Sequence, residues 1–397
     1  MALQASQRAV LEPRDAADVA EILRTHARAL EPLGAGSKRA IGAPVDADAL
    51  DLSALRGIVD YEPAELVLIA RQATPLAEIE SALDSCGQRL AFEPPDFGRL
   101  LGVDAPQTQG GVLAANLAGS RRLTAGAARD HFLGFEAVTG DGVRFKAGGK
   151  VVKNVTGYDL PKLIAGSWGT LAVLTSVTVR VVPQAETEAT LFVPVSGADR
   201  AEEGAERAVA MLERALASPN DVSAAGYDPA RGAALRIEGF DASVAARVAG
   251  VLDALGRPDA ERLDGEDSRR FWHAHASAHA LAAAPFVWRI SVPPDDAPRV
   301  VAALEPERYL LDWAGGLVSA AFNSLDVQRV RGAIRDGHAT LLKAPREARA
   351  AVDVFQPQRG AAALAAARIK AAFDPAGRLN PGRFGREPPP CPETETG

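Results

Sequence analysis

The apolar positions along the chain fall into two regimes. In the first, Val10-Leu11-Glu12-Pro13 reads as a short strand, and Asp15 can cap a helix whose face is marked by Val19, Ile22, Leu23, His26 and Leu30. Strand-like runs follow at 57–61 and 66–70, then a helix over 75–85 with Pro75 in its first turn. Residues 135–146 read as a hairpin turning at Gly140-Asp141-Gly142. Val173, Thr175, Val177, Val179 and Val181 alternate with other residues and predict a buried strand. This half mixes strands and helices without the regular alternation of a doubly wound sheet.

After Pro183 the pattern changes. A strand at 190–195 leads to a helix over 199–217, strands near 222–227 and 233–238, a helix over 241–255 and a further helix over 266–282. The order recurs from Pro285: strand 286–292, helix 297–304, strands 308–313 and 316–322, helix 326–336, strand 339–343. Two βαββα(β) units in series predict a split βαβ architecture. A helix over 360–373 precedes Asp-Pro and Asn-Pro-Gly turns, and the proline-rich 385–397 reads as a disordered tail.

Composition narrows the class. A chain of 397 residues with 47% hydrophobic and 24% charged residues suits a globular protein of two domains. A net charge of -7 argues against a nucleic-acid partner. Cys86 and Cys391 are the sole cysteines, too few for an Fe–S cluster, a zinc ribbon or a disulfide framework. The first residues show no signal-peptide pattern, and no apolar run approaches the length of a membrane span. A cytoplasmic chain is expected.

Three small-residue stretches carry the candidate chemistry: 32–42, PLGAGSKRAIG; 109–122, QGGVLAANLAGSRR; and 148–182, which holds the Gly166-Ser167-Trp168-Gly169-Thr170 turn. Turns of Gly, Ser and Thr leave backbone N–H groups open to a phosphate-bearing cofactor. Two familiar dinucleotide signatures do not fit. The third glycine of a Rossmann turn is displaced to Gly42 with Pro44 close behind, and Gly149-Lys150 is followed by Val151 where a P-loop has Ser or Thr.

In combination, GAGSKRAIG, GGVLAANLAGSRR, GAARD and GGKVVKNVTGYDLPKLIAGSWGTLAVLT resemble the FAD-binding E-subunit family of bacterial glycolate oxidase. That family belongs to the vanillyl-alcohol oxidase / p-cresol methylhydroxylase (PCMH) superfamily. The likeness continues through VWRISVP at 287–293 and LDWAGG at 311–316 to Phe373-Asp374-Pro375 and Asn380-Pro381-Gly382-Arg383-Phe384. It implies an α+β fold: a two-part PCMH-type FAD-binding domain over 1–183, a cap of two ferredoxin-like units over 184–365, and a C-terminal helix and turn over 366–384 packing back on the FAD domain. FAD would be met on one side by Gly34, Gly36, Ser37 and Lys38, and on the other by Gly110, Gly111, Ala114, Ala115, Asn116 and Gly119. Gly169, Thr170 and Val173 would also lie along it. Ala35 and Ala172 stand where the family often has Gly and narrow the site by a methyl each. The superfamily often attaches FAD through a His in the first stretch and a Cys in the second; here the first offers Ser37-Lys38 and the second has no Cys, so noncovalent FAD is expected.

The resemblance further implies oxidation of glycolate, a small 2-hydroxy acid, together with a D-type flavoprotein subunit and an Fe–S F subunit. Any membrane association would be peripheral, through those partners. A self-sufficient FAD-dependent 2-hydroxy-acid dehydrogenase, or a structural subunit with weak flavin binding, stays open. No base stands out. Arg121 and Arg122 follow the second stretch and suit a carboxylate, a phosphate or a partner; Tyr158 suits a flavin neighbour or plain turn packing. Arg289, in an otherwise apolar strand beside Trp288, needs an anion or carbonyl partner. His273, His275 and His279 share a segment, but on a helix 273 and 275 point roughly 200° apart. Partly exposed helix histidines and no metal are expected there.

Overall fold

The computed structural model describes residues 8–150, 157–197 and 199–385. Residues 151–156 of the third small-residue stretch, and all of the expected tail 385–397 but Gly385, lie outside the described residues.

Strands Val10–Leu11 and Leu30–Leu33 flank Asp48–Asp51 in a small parallel sheet. Asp15 caps helix Ala16–Thr25 as expected, its carboxylate accepting from Ala17 N at 2.7 Å and Asp18 N at 2.9 Å. The helical face does not run on to Leu30. The helix stops at Thr25, and Leu30 opens a strand instead, fully buried, with its N–H donating to the carbonyl of Arg378. A partner more than three hundred positions away overrides the local period.

The second sheet is antiparallel, in the order Ile58–Glu62, Val67–Arg71, Ala172–Pro183, Phe132–Thr139, Arg144–Gly148. Gln88–Leu90 also pairs with Ala172–Pro183, whose Val173, Val177, Val179 and Val181 are buried. The glycine stretch at 109–115, read from sequence as a loop, is a helix, Gln109–Ala115, capped by Thr108. Close packing explains it: a Cβ at Gly110 would lie 2.7–2.9 Å from Gln72, and Gly110 N donates to Gln72 O. Two glycines thus cost helix propensity but let the helix seat against the sheet.

Beyond Pro183 one eight-stranded antiparallel sheet runs Glu261–Asp264, Thr187–Val193, Gly232–Gly239, Ala224–Asp228, Arg308–Asp312, Leu317–Phe322, Phe286–Ser291, His338–Lys343. Each half has ferredoxin-like order, the fourth strand beside the first, and the halves join edge to edge at Tyr227 and Leu311. The strand Glu261–Asp264 has no counterpart in the sequence reading, because its largely exposed ERLD carries no apolar alternation. Period-two alternation sorts the two faces of this sheet. Ala233, Leu235, Ile237, Trp288 and Ile290 pack under helices Ala201–Leu216, Asp241–Leu255 and Ala297–Leu304. Arg236, Glu238, Val287 and Arg289 turn the other way, toward the first half of the chain.

Helix Gly360–Phe373 and the turn after it pack against the first two sheets. Phe373 meets Phe145, Leu379 bridges to Leu30, and Asn380 N donates to Leu30 O. Among the described residues no helix is long and apolar enough to cross a membrane.

Candidate functional site

Segments far apart in sequence line one cleft. The turn Gly34–Arg39 forms one wall, and Gly110, Gly111, Ala114 and Ala115 of the glycine helix form another. Ser167–Gly169 with Ala172–Leu174 make a third side, while Asn380 and Arg383 come from the C-terminal turn. Gly34 is required by close approach, since a Cβ there would sit 2.6 Å from Thr108 Oγ1. Gly36 has φ +76° and Gly169 φ +68°, left-handed conformations that L side chains rarely adopt. Among the described residues the N–H groups of Gly36, Ser37 and Lys38 donate to no protein acceptor, the makings of an anion nest. The enclosed space is narrow, about 110 Å³, so it grips part of an extended ligand rather than the whole.

Lys38 is one of three cations lining this cleft among the described residues, with Arg39 and Arg383. Its Nζ donates to Gln107 Oε1 at 2.5 Å, and burial pulls its ammonium down to about 8 against the opposing pull of Asp96. Among the described residues four lining side chains carry a buried polar atom with no protein partner: Gln72 Nε2, Ser167 Oγ, Asn380 Oδ1 and Arg383 Nε. Open N–H groups, a desolvated lysine and orphaned hydrogen-bonding atoms together fit a pyrophosphate-bearing dinucleotide.

Gly34, Gly36, Ser37, Lys38, Gly110, Gly111, Ala114, Ala115, Gly169 and Val173 all line the cleft. Three other sequence candidates do not. Asn116 ends the glycine helix with φ 50°, its Oδ1 accepting from Arg129 N. Gly119 packs on Glu93, and its carbonyl accepts from Trp313 Nε1 at 2.9 Å. Thr170 Oγ1 donates to Ser167 O, and its own carbonyl accepts from Lys370 Nζ. They shape the walls from behind.

The arginine candidates separate. Arg121 is buried, with Nη1 2.5 Å from Glu238 Oε1 and Nη2 3.0 Å from Glu93 Oε1. Arg236 brings two further donors to Glu93, at 2.8 and 3.0 Å, and Arg89 pairs with Glu238. Burial pushes the Glu93 carboxyl up, but Arg236 and Arg121 outweigh it and hold it well below the usual carboxylate range. This network ties the first half of the chain to the cap sheet and floors a second, wider cleft of about 600 Å³. Helix Leu76–Asp84 supplies Glu80 to one wall and helix Gly265–Ala276 supplies Arg269 and His273 to the other. Burial pushes both Glu80 and Glu188 up in this cleft.

Arg289 is buried and donates to Ala118 O at 2.7 Å, a carbonyl partner rather than an anion. Burial pulls its guanidinium down to about 10, with Asp312 opposing, so it stays charged near neutrality. Arg122 and Arg289 both lie over the Trp313 ring, at 4.8 and 4.9 Å. Tyr158 is 90% exposed and lines neither cleft. The histidines depart from the helix reading because the helix ends at Ala276. His275 is buried against Leu311 O, while the rings of His273 and His279 approach to 5.5 Å. Among the described residues no group of potential ligands is arranged for a metal ion.

Gln72, Ser167, Asn380 and Arg383 escaped the sequence reading as site residues. Asn380 and Arg383 stand in the Asn-Pro-Gly-Arg turn, a visible motif whose spatial target nothing local reveals.

Residues 7–148 match the FAD binding domain family. The chain is 36% identical over 361 residues to the glycolate oxidase subunit GlcE of Escherichia coli, spanning 88% of this chain and 91% of that protein. It is 31% identical over 198 residues to the glycolate oxidase subunit GlcD of Bacillus subtilis, spanning 49% of this chain and 41% of that one. Among solved structures it is similar to alkyldihydroxyacetonephosphate synthase, with a TM-score of 0.64 at 15% identity over 94% of this chain and 76% of that one. The first cleft, the paired ferredoxin-like units and the near full-length match agree: this chain belongs to the FAD-linked oxidoreductase family of the glycolate oxidase subunit GlcE, with a PCMH-type FAD-binding fold.

Proposed function

We propose that this chain is the FAD-carrying subunit of a glycolate-oxidising complex, holding its cofactor noncovalently in the first cleft and working with a D-type flavoprotein and an Fe–S F subunit. The observation that carries the reading is the cleft itself, found in a chain alike to GlcE over nearly its whole length. Bound FAD supplies the two-electron acceptor for oxidation of an alcohol carbon to a carbonyl. The residues around it bind and orient. The Gly36–Lys38 nest and the Lys38 ammonium meet phosphate charge, and the glycine helix lets backbone approach closely. Among the described residues neither His nor Cys lines the cleft to attach the cofactor, and neither Asp, Glu nor His lines it to remove a hydroxyl proton. That favours a substrate site on a partner. Helix Gly360–Phe373, rich in alanine, half-buries Ile369 and Phe373 but buries no residue fully, and Leu364 is 57% exposed, an apolar face suited to a subunit contact. The FAD-binding domain would end near residue 183, with the cap following it.

A self-sufficient dehydrogenase has one observation in its favour, the second cleft, where burial pushes Glu80 and Glu188 up against the opposing pull of His273 on the first and Arg236 on the second. The experiment has two steps. Acid precipitation of the purified chain should release yellow FAD to the supernatant; flavin retained in the pellet would show covalent attachment. The chain is then assayed with glycolate and an artificial dye, with and without both partners. Activity that rises strongly with the partners supports the subunit reading, and full turnover by the chain alone overturns it.

A further inference from the structure

The C-terminal turn lies outside the span that matches the FAD binding domain family, yet two of its side chains line the first cleft. Asn380 is 3% exposed and sits at φ 46°, a left-handed position that asparagine tolerates. Its Nδ2 donates to Trp168 O at 2.8 Å. That bond fixes which way the amide points, because the flipped amide would set its oxygen against a carbonyl oxygen. The side-chain oxygen is therefore left buried without a donor. A buried acceptor with no partner is uncommon and calls for a ligand.

Behind Asn380, Arg383 braces the nest. Its Nη1 reaches Arg39 O at 3.2 Å and Ile41 O at 2.8 Å, and its Nη2 meets buried Glu31 at 2.7 Å. Glu31 also takes Arg39, so a single carboxylate anchors both the turn and the nest. Arg349 holds the next carbonyl, Gly42 O, at 2.8 Å.

Resting on the reading that the first cleft is the FAD site, we propose that Asn380 is a direct cofactor contact, its side-chain oxygen accepting a hydrogen bond from a hydroxyl or ring N–H of FAD, and that Arg383 is a positioning residue for the Gly36–Lys38 nest. Gln72 Nε2 and Ser167 Oγ, likewise unpartnered, complete the polar lining.

The test measures FAD affinity of the refolded or flavin-stripped full chain by fluorescence quenching, alongside melting of the apo protein and the added shift that FAD gives. Asn380→Gly removes the amide without straining the left-handed backbone, and Asn380→Asp keeps an acceptor but adds a negative charge. Asn380→Gly should weaken FAD about tenfold, as expected when a buried donor loses its partner, and shrink the FAD-induced shift. Asn380→Asp should weaken it further. Arg383→Lys should weaken FAD while Asn380 stays intact, and should loosen proteolytic protection of residues 34–42. A wild-type chain that takes up no FAD would overturn the cofactor site itself. A wild type that binds FAD, with Asn380→Gly binding as tightly, would overturn this assignment alone, even if the apo melting temperature fell.

Discussion

Lys38 offers a sharp test of the cofactor site because its charge state is poised. In the free chain burial brings its ammonium down to about 8. A pyrophosphate arriving at the nest would favour the charged form and raise that value again. Cofactor binding is then coupled to proton uptake at alkaline pH. Below about pH 7 the lysine is charged in both states, and affinity is at its plateau. As pH rises through about 8, the free chain gives up the proton that the complex keeps, so each further unit weakens binding. Between pH 7 and pH 9 the charged fraction of the free lysine falls from about nine-tenths to one-tenth, predicting about a tenfold loss of FAD affinity. For the apo chain the sign is opposite. The unfolded state, with an ordinary lysine, binds more protons between about 8 and 10.4, so this residue's contribution to stability grows as pH rises through that window. The assay is a fluorescence titration of apo protein with FAD from pH 6.5 to 9.5, repeated on Lys38→Met and Lys38→Arg. The methionine variant should bind weakly and without this slope; the arginine variant, charged throughout, should also lose the slope. A flat wild-type profile between pH 7 and pH 9, or an unchanged slope in Lys38→Met, refutes the reasoning.

Two other perturbations separate binding from folding. For Gly111→Val, the Cβ would lie 3.0 Å from Thr108 Oγ1 with the branches directed at the cleft wall, so the chain should lose flavin absorbance while circular dichroism shows the cap sheet intact. For Glu93→Gln, Arg236 and Arg121 lose their shared counter-charge, and unfolding by urea should show a loss on the order of 3 kcal/mol near neutral pH. Because the Glu93 carboxyl is held low in the fold, its contribution is present above about pH 4.3 and lost as pH falls below it, so the gap between wild type and variant should close in acid.

The cap was legible because its signals are local. Switches between the two-residue and helical periods mark each strand and helix, and the repeat of that order gives two units. Where a strand lacks an apolar face, as in Glu261–Asp264, the pattern vanishes. The candidate cofactor cleft was legible in its glycines and in Lys38 because several small-residue turns with a lysine leave backbone N–H groups and a cation open to a phosphate-bearing ligand. The helical state of Gln109–Ala115 was not, because tertiary packing on Gln72 overrides the low helix propensity of paired glycines. The network of Glu93, Arg121, Arg236 and Glu238 was equally hidden: Arg121 reads as a free cation until the fold brings it Glu93 from its own half and Glu238 from the cap sheet.

The small parallel sheet begins near the N-terminus, yet its buried Leu30 finds backbone partners at Arg378 and Asn380. During synthesis the chain emerges in order, and the cap, with its own core, can fold as soon as its last strand, His338–Lys343, is out. The first half must wait. Its Glu31 carboxylate and the carbonyls of Arg39, Ile41 and Gly42 stay without Arg383 and Arg349 until those two residues have left the ribosome. Closing a loop of that length costs little more entropy than closing a shorter one, so the delay is one of order rather than of stability. A chain cut just beyond Phe373 would therefore keep a folded cap beside an unfinished nest, so the first cleft matures only after Asn380 and Arg383 have been made.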